Sequence, residues 1–352
     1  MLTIYSPEHL KHRPALEFYE GELKPYQDVP ERALLVLKAV QESKLGLIAP
    51  PDDFGLEPIL AVHTGDYVEY LQHAYQHWIE SGGIAGGVFP DSFPARRMNR
   101  RPRRPSALAG YYSFDLTAII VDGTWSAAYQ SAQCALTAAQ CITTGEQAAF
   151  ALCRPPGHHA HADLCGGYCF LNNAAIAADW LSKHRPDGSV AGAHANRIAI
   201  LDVDFHHGNG TQDIFYERDD VLVVSIHGNP DRQYPYYIGA QNEHGSARGE
   251  GYNVNYPLEA GVTDTRYLAV LEQACGTISD YHATSLVVSL GVDTFMGDPL
   301  GDFALTSAVY PRIGKAIAQL NLPTVFIMEG GYAIALLGQH IASTLAGFEE
   351  AR

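Results

Sequence analysis

The sequence predicts an α/β fold in which helices cover both faces of a mostly parallel sheet of about eight strands. The first observation behind this prediction is a series of short apolar runs, typical of strands that are buried on both faces. The second is that helix-length segments separate several of these runs, as right-handed crossovers between parallel strands require. The predicted strands are 2–5, 45–48, 148–153, 198–203, 221–226, 252–256, 286–290 and 324–328, and the predicted helices are 174–183, 265–281 and 307–318. We expect a single domain over residues 1–352, although this length also allows two domains.

The composition indicates a compact soluble protein with a large core, since 47% of the residues are hydrophobic and 18% are charged. No stretch approaches the roughly 18 apolar residues that a membrane-spanning helix needs. The N-terminal residues lack the basic region and apolar core of a signal peptide, so we expect a cytoplasmic protein with no membrane partner. The six cysteines form no CxxC pair, which argues against a disulfide framework or a thiolate zinc site and predicts reduced thiols in the core.

The formal net charge of −16 argues against nucleic acid as the main partner, because binding phosphates requires a basic surface. An acidic surface suits a cationic substrate, since it concentrates small cations near a cleft. Solubility alone is an alternative explanation of the charge.

One region, residues 81–115, departs from the α/β pattern and is rich in glycine, proline and arginine. A loop of this length inside a compact domain is usually functional or disordered. Its arginines could bind an anion, contact acidic groups of another subunit, or be solvated, and the last two interpretations remain equally open. The arginines are Arg96, Arg97, Arg100, Arg101, Arg103 and Arg104.

The strand predicted at 198–203 ends in a group of acids and histidines. Open parallel sheets place their chemistry just past the carboxyl ends of such strands. Asp204 and His206 are two residues apart, so on extended backbone both side chains point to the same side. Carboxylate plus imidazole is a common zinc ligand combination, and we predict a metal site here, with a polar turn without metal as the alternative.

Three other predicted strands end in candidate catalytic groups. The strand at 148–153 leads into RPPGHH at 154–159, where prolines and a glycine fix a turn that aims His158 and His159. The strand at 286–290 leads to Asp293, and the strand at 324–328 leads to EGGY, which ends at Tyr332. Asp204, His206 and Asp293 would form a three-ligand set with open positions, which indicates a catalytic metal. Two further histidines and a tyrosine add the groups needed for metal-assisted hydrolysis of an amide. His227, which follows the strand at 221–226, is more simply a satisfied polar group.

Five motifs give the chain its resemblance to a known family, and they lie in the same order along nearly its whole length. They are RPPGHH at 154–159, GGYCFLNN at 166–173, LDVDFHHGNG at 201–210, SLGVD at 289–293 and EGGY at 329–332. The chain resembles the zinc-dependent deacetylases of the arginase/deacetylase fold, the superfamily of histone deacetylases, and most closely its bacterial acetylpolyamine amidohydrolase branch. The resemblance implies a three-layer fold in which Asp204, His206 and Asp293 bind Zn²⁺, with Fe²⁺ as a substitute in cells.

The resemblance also implies roles for the remaining residues of the active site. His159 would be the general base, His158 its electrostatic partner, and Tyr332 the hydrogen-bond donor to the oxyanion. Asp202 would accept a hydrogen bond from His158, and Asn209 would hold His159, a position where many relatives carry aspartate. A simple turn residue is the alternative interpretation of Asn209.

Further expectations concern the substrate and bound cations. By resemblance, Tyr168 and Tyr234 would form aromatic walls, the Gly167 carbonyl would accept the scissile amide N–H, and Glu17 would bind a polyamine nitrogen. The residues alone would suggest that Glu17 is a surface glutamate. The resemblance also implies two structural K⁺ sites, one formed by Asp202, Asp204, His206, Ser225 and Ile226, and a second by Phe215, Arg218, Val221 and Tyr252.

The loop at 81–115 is expected to form a homodimer that narrows the entrance of the active site. Relatives carry a glutamate in this loop that faces the active site, whereas residues 104–110 of this chain read RPSALAG and contain no acid. If a long polyamine needs this second carboxylate, the departure favours short acetylated diamines or another substrate.

The predicted function is therefore the hydrolysis of small acetylated amines, such as acetylpolyamines or acetylated diamines, to acetate and free amine. The alternatives are a deacetylase of acetyl-lysine in proteins, a deacetylase of another small amide, a metal-bound sensor without turnover, and an arginase-like two-metal hydrolase. The last would need more acids around His206 than this sequence offers.

Overall fold

The fold is built around a single large sheet, as described by a computed structural model that covers residues 1–19, 21–184 and 196–352. The strands of the described residues are β1 (Leu2–Ile4), β2 (Leu16–Tyr19), β3 (Glu22–Pro25), β4 (Ile48–Ala49), β5 (Ala148–Ala151), β6 (Ile198–Asp202), β7 (Val221–Gly228), β8 (Asn253–Leu258), β9 (Ser285–Leu290) and β10 (Thr324–Met328). Eight of them form one sheet in the order β4-β1-β5-β10-β9-β6-β7-β8, and β2 and β3 form a separate antiparallel hairpin. Neighbouring strands of the large sheet run parallel throughout.

The helices connect these strands and cover the sheet. They are α1 (Glu31–Glu42), α2 (Glu57–Leu60), α3 (Gly65–Glu80), α4 (Pro105–Tyr111), α5 (Thr124–Thr143), α6 (Asn173–Lys183), α7 (Asn209–Phe215), α8 (Asp264–Tyr281), α9 (Tyr310–Ala318) and α10 (Ile334–Ala351), with short 3-10 helices at Pro7–Lys11 and Ala247–Gly249. None of the described helices is long and apolar enough to cross a membrane.

Two hydrophobic cores, one on each face of the sheet, make the fold three-layered. Successive strand residues point to opposite faces, so Ile198 and Ile200 of β6 join one core while Ala199 and Leu201 join the other. The first core contains apolar residues of α3, α5 and α6, and the second contains those of α1, α8, α9 and α10. The predicted fold class is therefore confirmed.

The eight predicted strands are present, with differences at their ends. The largest concerns 45–48, where the strand is Ile48–Ala49 and Leu45 lies before it. The helix predicted from residue 307 begins at Tyr310. The hairpin of β2 and β3 was not predicted, because two four-residue strands carry too short a pattern to be distinguished from a loop.

The loop at 81–115 contains α4 and is otherwise irregular in the described structure. All six of its arginines between residues 96 and 104 are exposed. Arg101 donates a hydrogen bond of 2.6 Å to the hydroxyl of Tyr112, which in turn donates to Asp66. The Arg101 side chain is therefore held by contacts within this chain, although it remains exposed.

Candidate active site

The predicted catalytic groups meet at one edge of the sheet because their strands are neighbours. Strands β5, β10, β9 and β6 lie next to one another and run parallel, so their carboxyl ends share one edge. The segments that follow them bring histidines, a tyrosine and acidic residues from positions far apart in the chain to one place. The strand order, which the sequence did not specify, thus assembles the site.

Asp204, His206 and Asp293 form a compact group of metal-ligand type. One ligand atom of each lies within 4.8 Å of the others. The Nδ1 atom of His206 is 3.1 Å from Oδ2 of Asp293 and 3.3 Å from Oδ1 of Asp204. The structure therefore brings together all three residues predicted as metal ligands.

The electrostatics of this group fit a cation. Burial, followed by the charge of Asp204, raises the pKa of Asp293 to about 7. Burial alone would lower the pKa of His206, but its hydrogen bonds to Asp204 and Asp293 raise it to about 10. Two buried carboxylates beside one imidazole form a site that a bound cation would neutralise.

In Asp204 and Asp293, the carboxylate oxygen that does not face His206 accepts a hydrogen bond from a backbone amide. The Gly330 N–H donates to Oδ2 of Asp204 at 2.7 Å, and the Phe205 N–H donates to Oδ1 of Asp293 at 2.8 Å. A Cβ atom at Gly330 would lie 2.3 Å from the Asp293 carboxylate, so only glycine fits this close approach. The remaining carboxylate oxygens are thereby turned towards His206.

Two histidines lie beside the metal-ligand group, each with its own buried partner. His158 Nδ1 is 2.9 Å from Oδ2 of Asp202, and His159 Nδ1 is 2.6 Å from Oδ1 of Asn209. These are the pairings that the resemblance implied, and the second argues against Asn209 as a simple turn residue. Each bond at Nδ1 leaves Nε2 for other contacts.

The two histidines differ in pKa. Burial alone would lower the pKa of His158, but the charges of Asp202, Asp204 and Glu329 raise it to about 10. Burial and the neighbouring His158 and His206 hold the pKa of His159 well below its ordinary value. The surroundings therefore favour a protonated imidazole at His158 and a neutral one at His159.

Tyr332 is held in place by two residues that sequence reasoning missed. The carboxylate of Asp298 accepts hydrogen bonds from the Tyr332 N–H at 2.6 Å and the Ala333 N–H at 2.9 Å. The guanidinium of Arg32 lies 4.6 Å from the centre of the Tyr332 ring and donates to the Gly331 carbonyl at 2.7 Å. No local pattern marks Arg32 or Asp298, because their contacts cross 299 and 34 residues of chain.

A narrow pocket opens above this group, and its walls are largely aromatic. It is lined by Tyr19, Thr117, His159, Gly167, Tyr168, His206, Tyr234, Leu300 and Tyr332. A Cβ atom at Gly167, where φ is +54°, would lie 2.2 Å from the His159 ring, so the wall requires glycine here. Tyr168 and Tyr234 thus lie where the resemblance placed aromatic walls.

Asp115 joins two parts of this wall and was not identified from the sequence. One of its oxygens, Oδ2, accepts hydrogen bonds from the Tyr234 hydroxyl at 2.7 Å and the Gly167 N–H at 2.8 Å. Asp115 lies in a loop, where the sequence has no periodic pattern. A single carboxylate therefore fixes two segments that are distant in sequence.

Glu17 is 1% exposed, so its interpretation as a surface glutamate is wrong. It lies on β2 and is hydrogen-bonded to Tyr168 of the pocket wall. Burial is the main reason that the pKa of Glu17 is raised to about 7, and the nearby charges of Asp28 and Asp115 add to the effect. Its Oε2 atom has no hydrogen-bond partner among the described residues.

The residues predicted to bind K⁺ lie on neighbouring elements. For the first set, Asp202 and Ser225 are register partners on β6 and β7, and Ile226 follows. For the second set, Phe215 ends α7, Val221 begins β7, and the carbonyl of Tyr252 accepts the Val223 N–H. The side chain of Arg218 pairs with Asp179 and Asp220 at 2.7 Å each. Both cation assignments stay predictions.

Two other buried histidines of this region lie side by side outside the pocket. His227 is hydrogen-bonded to the Ser225 hydroxyl at 2.7 Å and the Gly239 carbonyl at 2.9 Å, which confirms it as a satisfied polar group. The ring of His207, for which the sequence suggested no role, lies 4.5 Å from that of His227.

Comparison with known proteins agrees with this geometry. The chain is 49% identical to acetylpolyamine amidohydrolase 1 of Pseudomonas aeruginosa, over 100% of this chain and 99% of that protein. It is 42% identical to acetylpolyamine amidohydrolase of Mycoplana ramosa, over 99% of each chain. The crystal structure of acetylpolyamine aminohydrolase from Burkholderia pseudomallei superposes with a TM-score of 0.93 at 39% identity, covering 100% of this chain and 99% of that one. A family described as the histone deacetylase domain matches residues 26–348, and the chain belongs to this family.

Proposed function

We propose that this protein hydrolyses the amide bond of small acetylated amines, acetylpolyamines or acetylated diamines, and releases acetate and the free amine. One observation carries the proposal: a single narrow pocket is lined by His206 of the metal-ligand group, by His159 and by Tyr332. These are the groups that metal-assisted amide hydrolysis requires. The relatives named above, at 42% and 49% identity, carry names that describe this reaction.

The metal would be Zn²⁺, held by Asp204, His206 and Asp293, with Fe²⁺ as a substitute in cells. When bound, it supplies a Lewis acid for the amide carbonyl and lowers the pKa of a water molecule. His159 receives a proton at Nε2 and later delivers it to the leaving amine, since its Nδ1 is engaged with Asn209. The Tyr332 hydroxyl donates a hydrogen bond to the carbonyl oxygen as that oxygen gains negative charge. His158, whose pKa is raised chiefly by the charge of Asp202, would carry a positive charge that stabilises the negative charge developing on the carbonyl oxygen.

The substrate amine would lie between Tyr168 and Tyr234, with its distal ammonium directed to the region of Glu17. Aromatic walls bury the methylene groups and interact with a cation through their faces. The Gly167 carbonyl would accept the scissile amide N–H. Glu17 then provides one carboxylate for one ammonium, which favours diamines over longer polyamines.

Further parts of the proposal concern bound cations, assembly and location. We assign structural K⁺ to the two sets named above, with backbone carbonyls as most of the ligands. The loop at 81–115 would join two copies of the chain and narrow the entrance. The six free cysteines suit a reducing compartment such as the cytoplasm.

The experiment that tests the proposal compares kcat/KM for N-acetylputrescine, N-acetylcadaverine, N-acetylspermidine and an acetyl-lysine peptide. We expect the two acetylated diamines to give the highest values and the peptide the lowest. A clear preference for the peptide would contradict the small-amine substrate class. It would support a protein deacetylase instead.

The pH dependence of substrate choice tests the role of Glu17. Because its folded pKa is raised to about 7, the carboxylate becomes ionised as the pH rises through that value. We expect the ratio of kcat/KM for N-acetylputrescine to that for uncharged N-acetylbutylamine to rise over the same range. Titration of the catalytic groups changes kcat/KM for both substrates by the same factor, so it cancels in the ratio.

The matched variant is Glu17→Gln. It should lower the ratio by about 10-fold, since a hydrogen bond between charged partners is lost, and should leave the ratio independent of pH. A Glu17→Gln enzyme with an unchanged ratio would show that the distal ammonium binds elsewhere.

A further inference from the structure

Behind His159, away from the pocket, two hydrogen bonds and one close contact between a histidine and a carboxylate lead to the surface of the protein. The Asn209 side chain contacts His159 Nδ1 through its oxygen at 2.6 Å and contacts Nε2 of His161 through its nitrogen at 2.8 Å. The other ring nitrogen of His161, Nδ1, is 3.0 Å from the carboxylate of Asp213. The side chain of His161 is 15% exposed and that of Asp213 is 52% exposed. His161 and Asp213 have no part in the mechanism given above.

The orientation of the Asn209 carboxamide decides the state of the catalytic base. Its oxygen end accepts a hydrogen bond, whereas its NH₂ end donates. With the oxygen towards His159, the imidazole carries its proton on Nδ1, and Nε2 is free to receive one. With the NH₂ group there instead, Nδ1 would have to accept, the proton would move to Nε2, and His159 could no longer act as a base.

His161 fixes this orientation through its own tautomer. A carboxylate can only accept, so the Asp213 carboxylate, 3.0 Å from Nδ1 of His161, favours the tautomer of His161 that carries its proton on Nδ1 and has a lone pair at Nε2. That lone pair accepts only the NH₂ end of Asn209, which turns the oxygen to His159. The edge contact between the rings of Phe114 and His161, at 5.5 Å between centres, holds the His161 ring in place.

We infer that His161 is a positioning residue for the general base, and that Asp213 sets the tautomer of His161. The inference rests on the proposed function, since it assigns His161 and Asp213 to the same proton transfer. Among the described residues, the carboxylate of Asp163 also interacts with His161 and with Asp213. The role depends on hydrogen-bond direction, which distinguishes it from general support of the fold.

The test is a double-mutant cycle between His161→Ala and Asn209→Asp, with kcat and KM measured on the pH plateau of each variant. In the wild-type background, His161→Ala should lower kcat by about 10-fold to 100-fold and leave KM unchanged, the size typical of losing such a supporting contact. In the Asn209→Asp background, the same change should cost at most a few-fold. An aspartate has two accepting oxygens, so its orientation no longer matters.

Two further variants separate positioning from folding. His161→Gln retains one acceptor for Asn209 and one donor for Asp213, and should restore most of the kcat that His161→Ala loses. Asp213→Asn changes an exposed side chain, so the variant should fold normally. In the wild-type background it should lower kcat by less than His161→Ala does, and in the Asn209→Asp background it should leave kcat unchanged. If His161→Ala does not fold, the Asp213→Asn cycle takes its place.

A readout without turnover uses the metal-free protein labelled with ¹⁵N-histidine. The ring nitrogens of His159, identified by their disappearance in His159→Gln, should report a proton on Nδ1 in the wild type. In His161→Ala they should report a mixture of tautomers. An unchanged tautomer would overturn the inference.

Equal losses of kcat in the two backgrounds, or a loss that appears in KM, would also overturn it. Any acetylated amine that the wild-type enzyme hydrolyses can serve as the substrate of these experiments. A wild type that hydrolyses none contradicts the proposed function, whereas an active wild type with equal losses contradicts only the role of His161.

Discussion

His158 with Asp202 and His159 with Asn209 form two pairs that are alike in geometry and opposite in charge. The two rings lie 4.0 Å apart, and each pair has one short hydrogen bond at Nδ1, of 2.9 Å and 2.6 Å. Burial alone would lower the pKa of both histidines. The pKa of His158 nevertheless rises to about 10, while that of His159 stays well below the ordinary value.

The partner of each histidine contributes to this difference in pKa, together with Asp204 and Glu329, whose charges also act on His158. A carboxylate compensates a positive imidazole, whereas an amide oxygen gives it only a dipole. The charged His158 then lowers the pKa of His159 further, as does His206. The two adjacent histidines are thus held in surroundings that favour a cation at His158 and a neutral base at His159.

The largest expected loss of activity follows from replacing each of the two histidines in turn. His159→Gln should lower kcat by about 10³-fold, because His159 is the imidazole of the described pocket lining that is not among the predicted metal ligands. His158→Gln should cost less, about 10²-fold, because it removes a stabilising charge and leaves the base in place. Steady-state kinetics on N-acetylputrescine measure both, with thermal unfolding as the check on folding. Equal losses would mean that the two histidines share the proton transfer.

A smaller effect is expected when the first pair is converted into the second. Asp202→Asn keeps a hydrogen-bond acceptor for His158 but removes the charge that stabilises its cation, so kcat should fall by about 10-fold with little change in KM. Asp202→Ala removes the acceptor as well and should cost more. If the two variants lose the same amount, the hydrogen bond has no separate effect.

The sequence was sufficient to predict the parts of this site that follow directly from strand ends. Asp202, Asp204 and His206 lie within five residues of one another on and after β6, so their common location follows from local backbone geometry alone. The family motifs implied both histidine pairs as well. What the sequence alone could not supply was the order of strands β5, β10, β9 and β6, which brings the four ends together.

The supporting residues were missed because their contacts are distant and their local sequence is ordinary. Arg32 lies within a helix whose pattern does not distinguish it, yet it reaches Gly331 across 299 residues. Asp115 and Asp298 lie in loops and act by accepting backbone N–H groups of other segments. The local sequence wrongly suggested that Glu17 is exposed, since a four-residue strand shows too little alternation of polar and apolar residues to predict burial.

The smallest and most specific effect is a shift of the pH profile, expected when the His159–Asn209 pair is given the carboxylate of the His158–Asp202 pair. Asn209→Asp places a carboxylate beside His159, which favours the protonated imidazole and raises its pKa. Since only the neutral imidazole can receive a proton, activity is lost as the pH falls through that pKa. The acid limb of kcat/KM should therefore move to higher pH, by roughly one unit. At high pH, where the imidazole of both enzymes is neutral, their rates should converge, because a lone carboxylate leaves the geometry of the pair unchanged. An acid limb at the same pH would mean that Asn209 does not set the basicity of His159, and that the burial and neighbouring cations seen at this position determine it alone.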